Sequence, residues 1–239
     1  MPSRPAVSVI VPTRNEGKYI EPTLQAIRVQ AFPKPYEVIV ADYRSADDTV
    51  PRARKHADKV VRVRRPGPAA GRNEGAAAAS GRVFLFLDAD TWPKENLLTT
   101  VQRTFSNPRV AGATCPILPV SADLEDFLLF WFINNYFRTA ILAGSPHSSG
   151  VCFAARREAF EAAGGFDEKL TIAEDVELAR RLRRFGRFRF MSSTLVMTSP
   201  RRIEGWGIAR TASVWAANYM KVLTLGGAFG SLGGYRPIR

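Results

Sequence analysis

The chain has 239 residues, 46% of them hydrophobic and 23% charged, and carries a formal charge of +12. That is enough apolar chain for one substantial core, which excludes a disordered or disulfide-scaffold protein. Two cysteines (Cys115, Cys152) in apolar contexts and two histidines (His56 in a charged surface segment, His147 in a loop) exclude a Cys/His metal cage and read as a reduced, cytosolic protein.

In chain order, Val7-Ser8-Val9-Ile10-Val11 reads as a first strand. It is too short for a signal peptide and runs at once into Pro12 and charges, so no leader is expected. Ile20, Leu24, Ile27 and Ala31 then mark one face of a helix, and Glu37–Ala41 is a second strand. Asp47–Ala57 reads as helical with Pro51 in its first turn, Lys59–Val63 as a strand, and Arg72–Ser80 as an Ala-rich helix broken by Gly81. The continuous apolar run Val83-Phe84-Leu85-Phe86-Leu87 is a strand buried on both faces, as in a parallel sheet. Asn96–Phe105 predicts a helix and Arg109–Ile117 a strand.

The aromatic-rich Leu124–Leu142 follows, carrying Phe127, Phe130, Trp131, Phe132, Tyr136 and Phe137, more than one core stripe needs. Its longest apolar run, Phe127–Ile133, is far short of the roughly 18 residues that span a bilayer. Gly150–Ala155 predicts a strand and Arg157–Ala163 a short helix. After Thr171-Ile172-Ala173 a helix begins at Glu174-Asp175, with Leu178, Leu182 and Phe185 on one face. Strand and helix alternate with short connections over the first 100 or so residues, the pattern of a doubly wound, mostly parallel α/β sheet. A less regular second half completes one domain over 1–239.

The charge is lopsided. From Leu178 to Arg239 twelve Lys or Arg residues face one acidic residue, Glu204, giving +11 of the total. This half should meet an anion: a phospholipid headgroup, a lipid-linked phosphate, a sugar diphosphate or nucleic acid, with a plain solvated basic surface as the alternative.

The chemistry centres on Leu87-Asp88-Ala89-Asp90. A buried strand delivers its last residues to the sheet's carboxyl edge, where ligands bind. The i, i+2 spacing puts both carboxylates on one side of the chain, able to share a divalent cation. Three further features stand in order around it: Pro12-Thr13-Arg14-Asn15-Glu16 after the first strand; Asp42 after the second, ahead of Ser45, Asp47 and Thr49; and Gly71-Arg72-Asn73-Glu74-Gly75 before the Asp88 strand. The fourth is Gly164-Gly165-Phe166-Asp167 followed by Glu174-Asp175.

In this order the features strongly resemble the family 2 glycosyltransferases of the GT-A fold, over about Val7 to Gly186. The resemblance implies inverting transfer of one hexose from a nucleotide-diphosphate sugar, of UDP or GDP type. It places Pro12, Thr13, Arg14 and Glu16 around base and ribose, Asp42 on the base, and Arg72 and Asn73 near ribose or diphosphate. Asp88, Ala89 and Asp90 match the Asp-x-Asp that holds Mg2+ or Mn2+ against the diphosphate, and Glu174-Asp175 the acidic pair that supplies the general base, here assigned to Asp175. Asp42 is followed by Tyr43-Arg44 rather than a second acid, and no Gln-x-x-Arg-Trp motif is present, which favours single transfer over polymerisation.

The basic second half, Arg201-Arg202 and the segment around Trp131 suit a lipid-linked acceptor at an anionic membrane surface, with the protein cytoplasmic or peripheral at the cytoplasmic face. A soluble acceptor is the competing enzyme reading. A nucleic-acid-binding module would account for the charge but not for Asp88, Asp90 and Asp175, so no nucleic acid is expected.

Overall fold

The computed structural model describes residues 4–170 and 172–225. The chain alternates β1 (Val7–Thr13), α1 (Ile20–Arg28), β2 (Tyr36–Asp42), α2 (Thr49–Ala53), β3 (Lys59–Arg62), α3 (Pro68–Ala77) and β4 (Val83–Leu87). Next come β5 (Thr91–Pro93), α4 (Leu97–Phe105), β6 (Val110–Thr114), β7 (Ile117–Pro119), α5 (Leu124–Leu142), β8 (Cys152–Arg156) and α6 (Arg157–Ala162). The order closes with α7 (Glu174–Leu182), β9 (Arg187–Phe190), β10 (Val196–Thr198), α8 (Arg201–Trp206) and α9 (Ile208–Leu225).

Among the described residues, seven strands form one sheet in the order β3-β2-β1-β4-β8-β6-β9. β1 pairs in parallel with β2 on one side and β4 on the other, so the winding reverses between β1 and β4 and opens a crevice at their carboxyl ends. β8 enters antiparallel to both β4 and β6. A second sheet, β5-β10-β7, is built from three-residue strands, with β10 antiparallel to β5 and parallel to β7.

The pleat of β4 explains its composition. Val83, Leu85 and Leu87 pack on one face with Leu24, Leu98 and Val101, while Phe84 and Phe86 pack on the other with Phe160, Phe166 and Leu182. Both faces are covered, so every position is apolar. On the second face α3 lies close to β1, because a Cβ at Gly75 would come within 2.4 Å of Ile10 Cγ2 and one at Gly71 within 3.0 Å of Pro12 Cβ.

Several expected boundaries move for local reasons. The third helix starts at Pro68, not Arg72, because proline suits a helix's first position, where no N–H bond is lost. The segment expected over Asp47–Ala57 shrinks to Thr49–Ala53, with Asp47 accepting from the Thr49 amide (3.1 Å) and hydroxyl (2.5 Å) at its start. The single strand expected over Arg109–Ile117 splits into β6 and β7 around Cys115-Pro116 and serves two sheets. The helix beginning at Glu174 ends at Leu182, which leaves Phe185 exposed instead of on the core face. His147, expected as an ordinary loop residue, is buried and packs its ring 5.2 Å from Tyr136. Cys115 and Cys152 are buried free thiols with sulfurs 3.2 Å apart.

No helix among the described residues is long and apolar enough to cross a membrane. Of the basic residues counted in the second half, Arg236 and Arg239 lie outside the described residues.

Candidate active site

A cavity of about 500 Å3 opens at the carboxyl ends of β1 and β4. Its floor is the loop after each strand, its far wall the start of α7, and its sides α5 and the β10–α8 segment. Of the predicted site residues, Pro12, Thr13, Arg14, Glu16, Arg72, Asp88, Ala89, Asp90, Glu174, Asp175, Arg201 and Arg202 all line it.

At one end, Arg14 stacks its guanidinium 5.0 Å above the Tyr43 ring. Asp42 does not line this cavity. Register pairs it with Thr13, whose hydroxyl donates to Asp42 Oδ1 at 3.0 Å, and Ser45 donates its amide (3.0 Å) and hydroxyl (2.5 Å) to the same carboxylate. Asp42 therefore shapes the loop that carries Tyr43. Asn73 is also turned to structural work. Its amide exchanges hydrogen bonds with the Phe166 backbone at 2.9 Å in both directions and donates to Glu168.

Arg72 sits at the centre. Its helix is already under way at this position, so the side chain, not a helix start, reaches the site. Nη2 donates to Asp88 Oδ1 (2.8 Å), Nη1 donates to Glu174 Oε1 (2.6 Å), and the guanidinium lies 5.4 Å above Phe166. The side chain is only 3% exposed. Burial works against its charge, but Asp88, Glu174 and Asp175 outweigh it and keep the guanidinium protonated. A Cβ on Gly150 would fall 2.2 Å from Arg72 Nη2, so only glycine leaves room for this arrangement. Gly150 was not among the predicted site residues, and its one signal was its place just before β8.

Glu174 and Asp175 open α7, whose N-cap, Ala173, adopts a left-handed φ of 63°. Asp175 Oδ1 accepts from the Val176 amide at 2.8 Å. A helix start should favour the ionised carboxylate. Here burial, together with the adjacent Glu174 charge, wins over Arg72 and the backbone donors and pushes the Asp175 carboxyl up to about 7.

Arg201, expected among the acceptor contacts, is ion-paired with two carboxylates of the cavity wall, Glu16 and Asp90. Nη1 and Nη2 donate to the two oxygens of Glu16 at 2.8 and 2.9 Å, and Nε lies 2.9 Å from Asp90 Oδ2. The small sheet explains the placement: β5 follows Asp90 directly, β10 pairs with it, and Ser199 N donates to Asp90 O at 3.2 Å. Burial, with the charges of Asp88 and Glu16, pushes the Asp90 carboxyl up to about 6 against the pull of Arg201.

Trp131 does not line the cavity; it is 55% exposed on the outer side of α5. The same helix lines the cavity with Phe130, Ile133 and Phe137, which no sequence motif marked as site residues. Among the described residues no three His, Cys, Asp or Glu side chains converge into a cation cage.

The chain resembles known proteins along this whole frame. It is 28% identical over 242 residues to the probable glycosyltransferase YdaM of Bacillus subtilis, which aligns with 90% of this chain. The chain spans about half of that protein's length, 56%. Over 106 residues, 41% of this chain and 34% of the relative, it is 35% identical to the GalNAc(5)-diNAcBac-PP-undecaprenol beta-1,3-glucosyltransferase of Campylobacter jejuni. Among solved structures, the mannosyltransferase PcManGT from Pyrobaculum calidifontis, in complex with GDP-Man and Mn2+, superposes with a TM-score of 0.67 at 28% identity, covering 82% of this chain and 57% of that one. The α/β architecture is the GT-A fold that the sequence led us to expect. Residues 8–164, carrying both strand-end loops, Arg72 and the Asp88/Asp90 pair, match glycosyl transferase family 2, and the chain belongs to that family.

Proposed function

We propose that the chain is a single catalytic domain, with a donor half over about 1–100 and an acceptor half over 101–239, that moves one hexose from a UDP- or GDP-sugar to an acceptor with inversion. The observation that carries this reading is Arg72, one buried guanidinium bonded to both Asp88 and Glu174, which ties a strand-end carboxylate pair to a buried acidic pair across one cavity. The complex of the mannosyltransferase with GDP-Man and Mn2+ supports the donor class.

The carboxylates Asp88 and Asp90 fit a divalent cation of the Mg2+ or Mn2+ kind. Such ions are held by one or two carboxylates completed by substrate phosphates and water, so a two-carboxylate set is sufficient. When bound there, the ion supplies charge neutralisation for the departing nucleoside diphosphate. The remaining work belongs to side chains. Arg14 and Tyr43 form a flat cationic platform for the base, and Arg72 fixes Asp88 and Glu174 relative to one another. Asp175 takes the proton from the acceptor hydroxyl. Its carboxyl, pushed up to about 7, is a base strong enough for an alcohol and still largely ionised slightly above neutrality.

The acceptor reading is a lipid-linked molecule at an anionic membrane surface. α5 supports it: Phe130, Ile133 and Phe137 face the cavity, while Leu124, Phe127, Leu128, Trp131 and Phe132 form an exposed stripe on the outer side. The basic end of α7 is adjacent, with the Arg183 guanidinium beside Gly144 just beyond the end of α5. Apolar stripe and cations together are the composition of a helix lying in a bilayer interface. The Campylobacter relative, named for an undecaprenol-linked substrate, points the same way.

A thermal-shift panel of UDP, GDP, dTDP and their sugars, with and without Mn2+ and Mg2+, tests the donor. A native-state ligand at 100 times its Kd stabilises by about 2.7 kcal/mol, so one base should stand out in the presence of metal. No shift from any of them overturns the proposal. Sedimentation with vesicles tests the surface: binding to anionic liposomes should weaken with salt, as expected for contributions of about 1 kcal/mol per basic residue, and should fall in Trp131→Ala. Absence of binding favours a soluble acceptor.

A further inference from the structure

The two carboxylates of the Asp-x-Asp are each held by an arginine, and the two arginines are unlike. Arg72, on Asp88, is 3% exposed, bonded also to Glu174 and stacked on Phe166. It belongs to the packed interior and stays. Arg201, on Asp90, is 19% exposed, comes from the short segment after β10, and rests 4.9 Å above the Tyr19 ring, itself braced by Trp92 at 6.4 Å. Its three donors Nε, Nη1 and Nη2 are spread over Asp90 and Glu16 at 2.8–2.9 Å. Those partners are carboxylates on the cavity wall, and Arg201 itself lines the cavity.

An acidic wall of Glu16, Asp88 and Asp90 would repel a nucleoside diphosphate, and a guanidinium seated on Asp90 opposes a divalent ion there. Each obstacle is removed by the other ligand. A divalent ion neutralises Asp90 and releases the arginine, and the diphosphate offers that arginine a bidentate anion in place of the carboxylates. We propose that Arg201 is an exchangeable counter-cation of the donor site, neutralising Asp90 and Glu16 before the donor arrives and passing from Asp90 to the diphosphate when a divalent ion takes its place. Metal and nucleotide then bind as a linked pair, each raising the affinity for the other by the same factor. The inference rests on the metal role given to Asp88 and Asp90 above.

The test is a Mn2+ titration of the full chain, followed by the electron paramagnetic resonance signal of free Mn2+, with and without UDP or GDP. In the wild-type protein Mn2+ alone binds weakly, and the correct nucleotide tightens it by about tenfold or more, within the usual range of coupling between sites. In Arg201→Gln, Mn2+ alone binds about tenfold more tightly than in wild type, and the nucleotide's enhancement shrinks by a similar factor, because the competing cation is gone. Arg201→Lys keeps the charge but cannot span Asp90 and Glu16 with one fork, and falls between the two. If Arg201→Gln does not fold, the lysine variant carries the test alone. An Arg201 variant whose Mn2+ affinity without nucleotide equals or falls below that of wild type, with the enhancement intact, overturns the counter-cation role and leaves the metal site standing. Wild-type protein that binds no Mn2+ even with both nucleotides brings down the metal assignment and this inference together.

Discussion

The two edges of the main sheet treat buried carboxylates in opposite ways. At the amino edge, Glu37 accepts from the Ser8 hydroxyl (2.7 Å), the Ser80 amide (2.6 Å) and hydroxyl (2.7 Å), and Lys59 Nζ (2.9 Å). Burial alone would raise its pKa, yet these donors outweigh it and hold the carboxyl at about 2. At the carboxyl edge, Asp175 has an acidic neighbour and few donors, and it is held near 7. Saturated with donors, a carboxylate cements the fold; left short of them, it keeps an affinity for protons that chemistry can use.

The largest expected effect tests the starved edge. Asp175→Asn should retain nucleotide-sugar binding and lose about 100-fold to 10,000-fold in transfer, the usual span for a general base. The same variant should be more thermostable than wild type at pH 8. A folded pKa raised from 3.8 to about 7 means that stability present below pH 4 is lost as pH rises to 7, and the amide escapes that loss. Each kcal/mol recovered moves Tm by about 2–4 °C in a chain of this size. In wild type, kcat should climb through pH 7; a flat profile from pH 6 to 8 would reassign the base.

Next in size, Asp88→Ala or Asp90→Ala should weaken Mn2+-dependent donor binding by at least about tenfold, or roughly 1.4 kcal/mol, while circular dichroism stays native. Retained affinity with retained Mn2+ dependence would remove the pair from the site. The third test falls on the saturated edge. Glu37→Gln should cost about 1–3 kcal/mol of stability at pH 7, since buried hydroxyl and amide donors lose their charged acceptor. The deficit should narrow as pH falls from 4.5 toward 2, where wild type loses the same advantage, and donor binding should be unaffected. A Glu37→Gln protein as stable as wild type would break the contrast.

The carboxyl edge was more legible in the sequence than the cementing one. Asp88, Asp90 and Glu174-Asp175 stand at the ends of strongly patterned elements, where a continuous apolar run or an acidic helix start fixes their position. Glu37 lies inside a strand pattern, and its donors come from Ser8, Lys59 and Ser80, which nothing local connects. The contacts of Arg201 were hidden for the same reason: its partner Glu16 is 185 residues away, and only the β5–β10 pairing brings the two together. The start of α3 was hidden by Pro66-Gly67-Pro68, which reads as loop until Pro68 is taken as the first helical position and Gly71 as the residue that lets the helix close on Pro12. Trp131 was read as part of an aromatic segment without a face; the helix it sits on assigns Phe130 and Phe137 inward and Trp131 outward.

The position of β8 between β4 and β6 bears on how the protein is made. β4 is the strand that presents Asp88, and its second hydrogen-bonded neighbour is Cys152–Arg156, synthesised long after it. Until that segment leaves the ribosome, Val83–Leu87 offers an unpaired, wholly apolar edge to any other nascent chain. The first half of the chain therefore leaves open the strand edge that β8 covers in the finished fold. Expression truncated before Cys152 should yield aggregates that pellet on centrifugation, where the full chain stays in the supernatant.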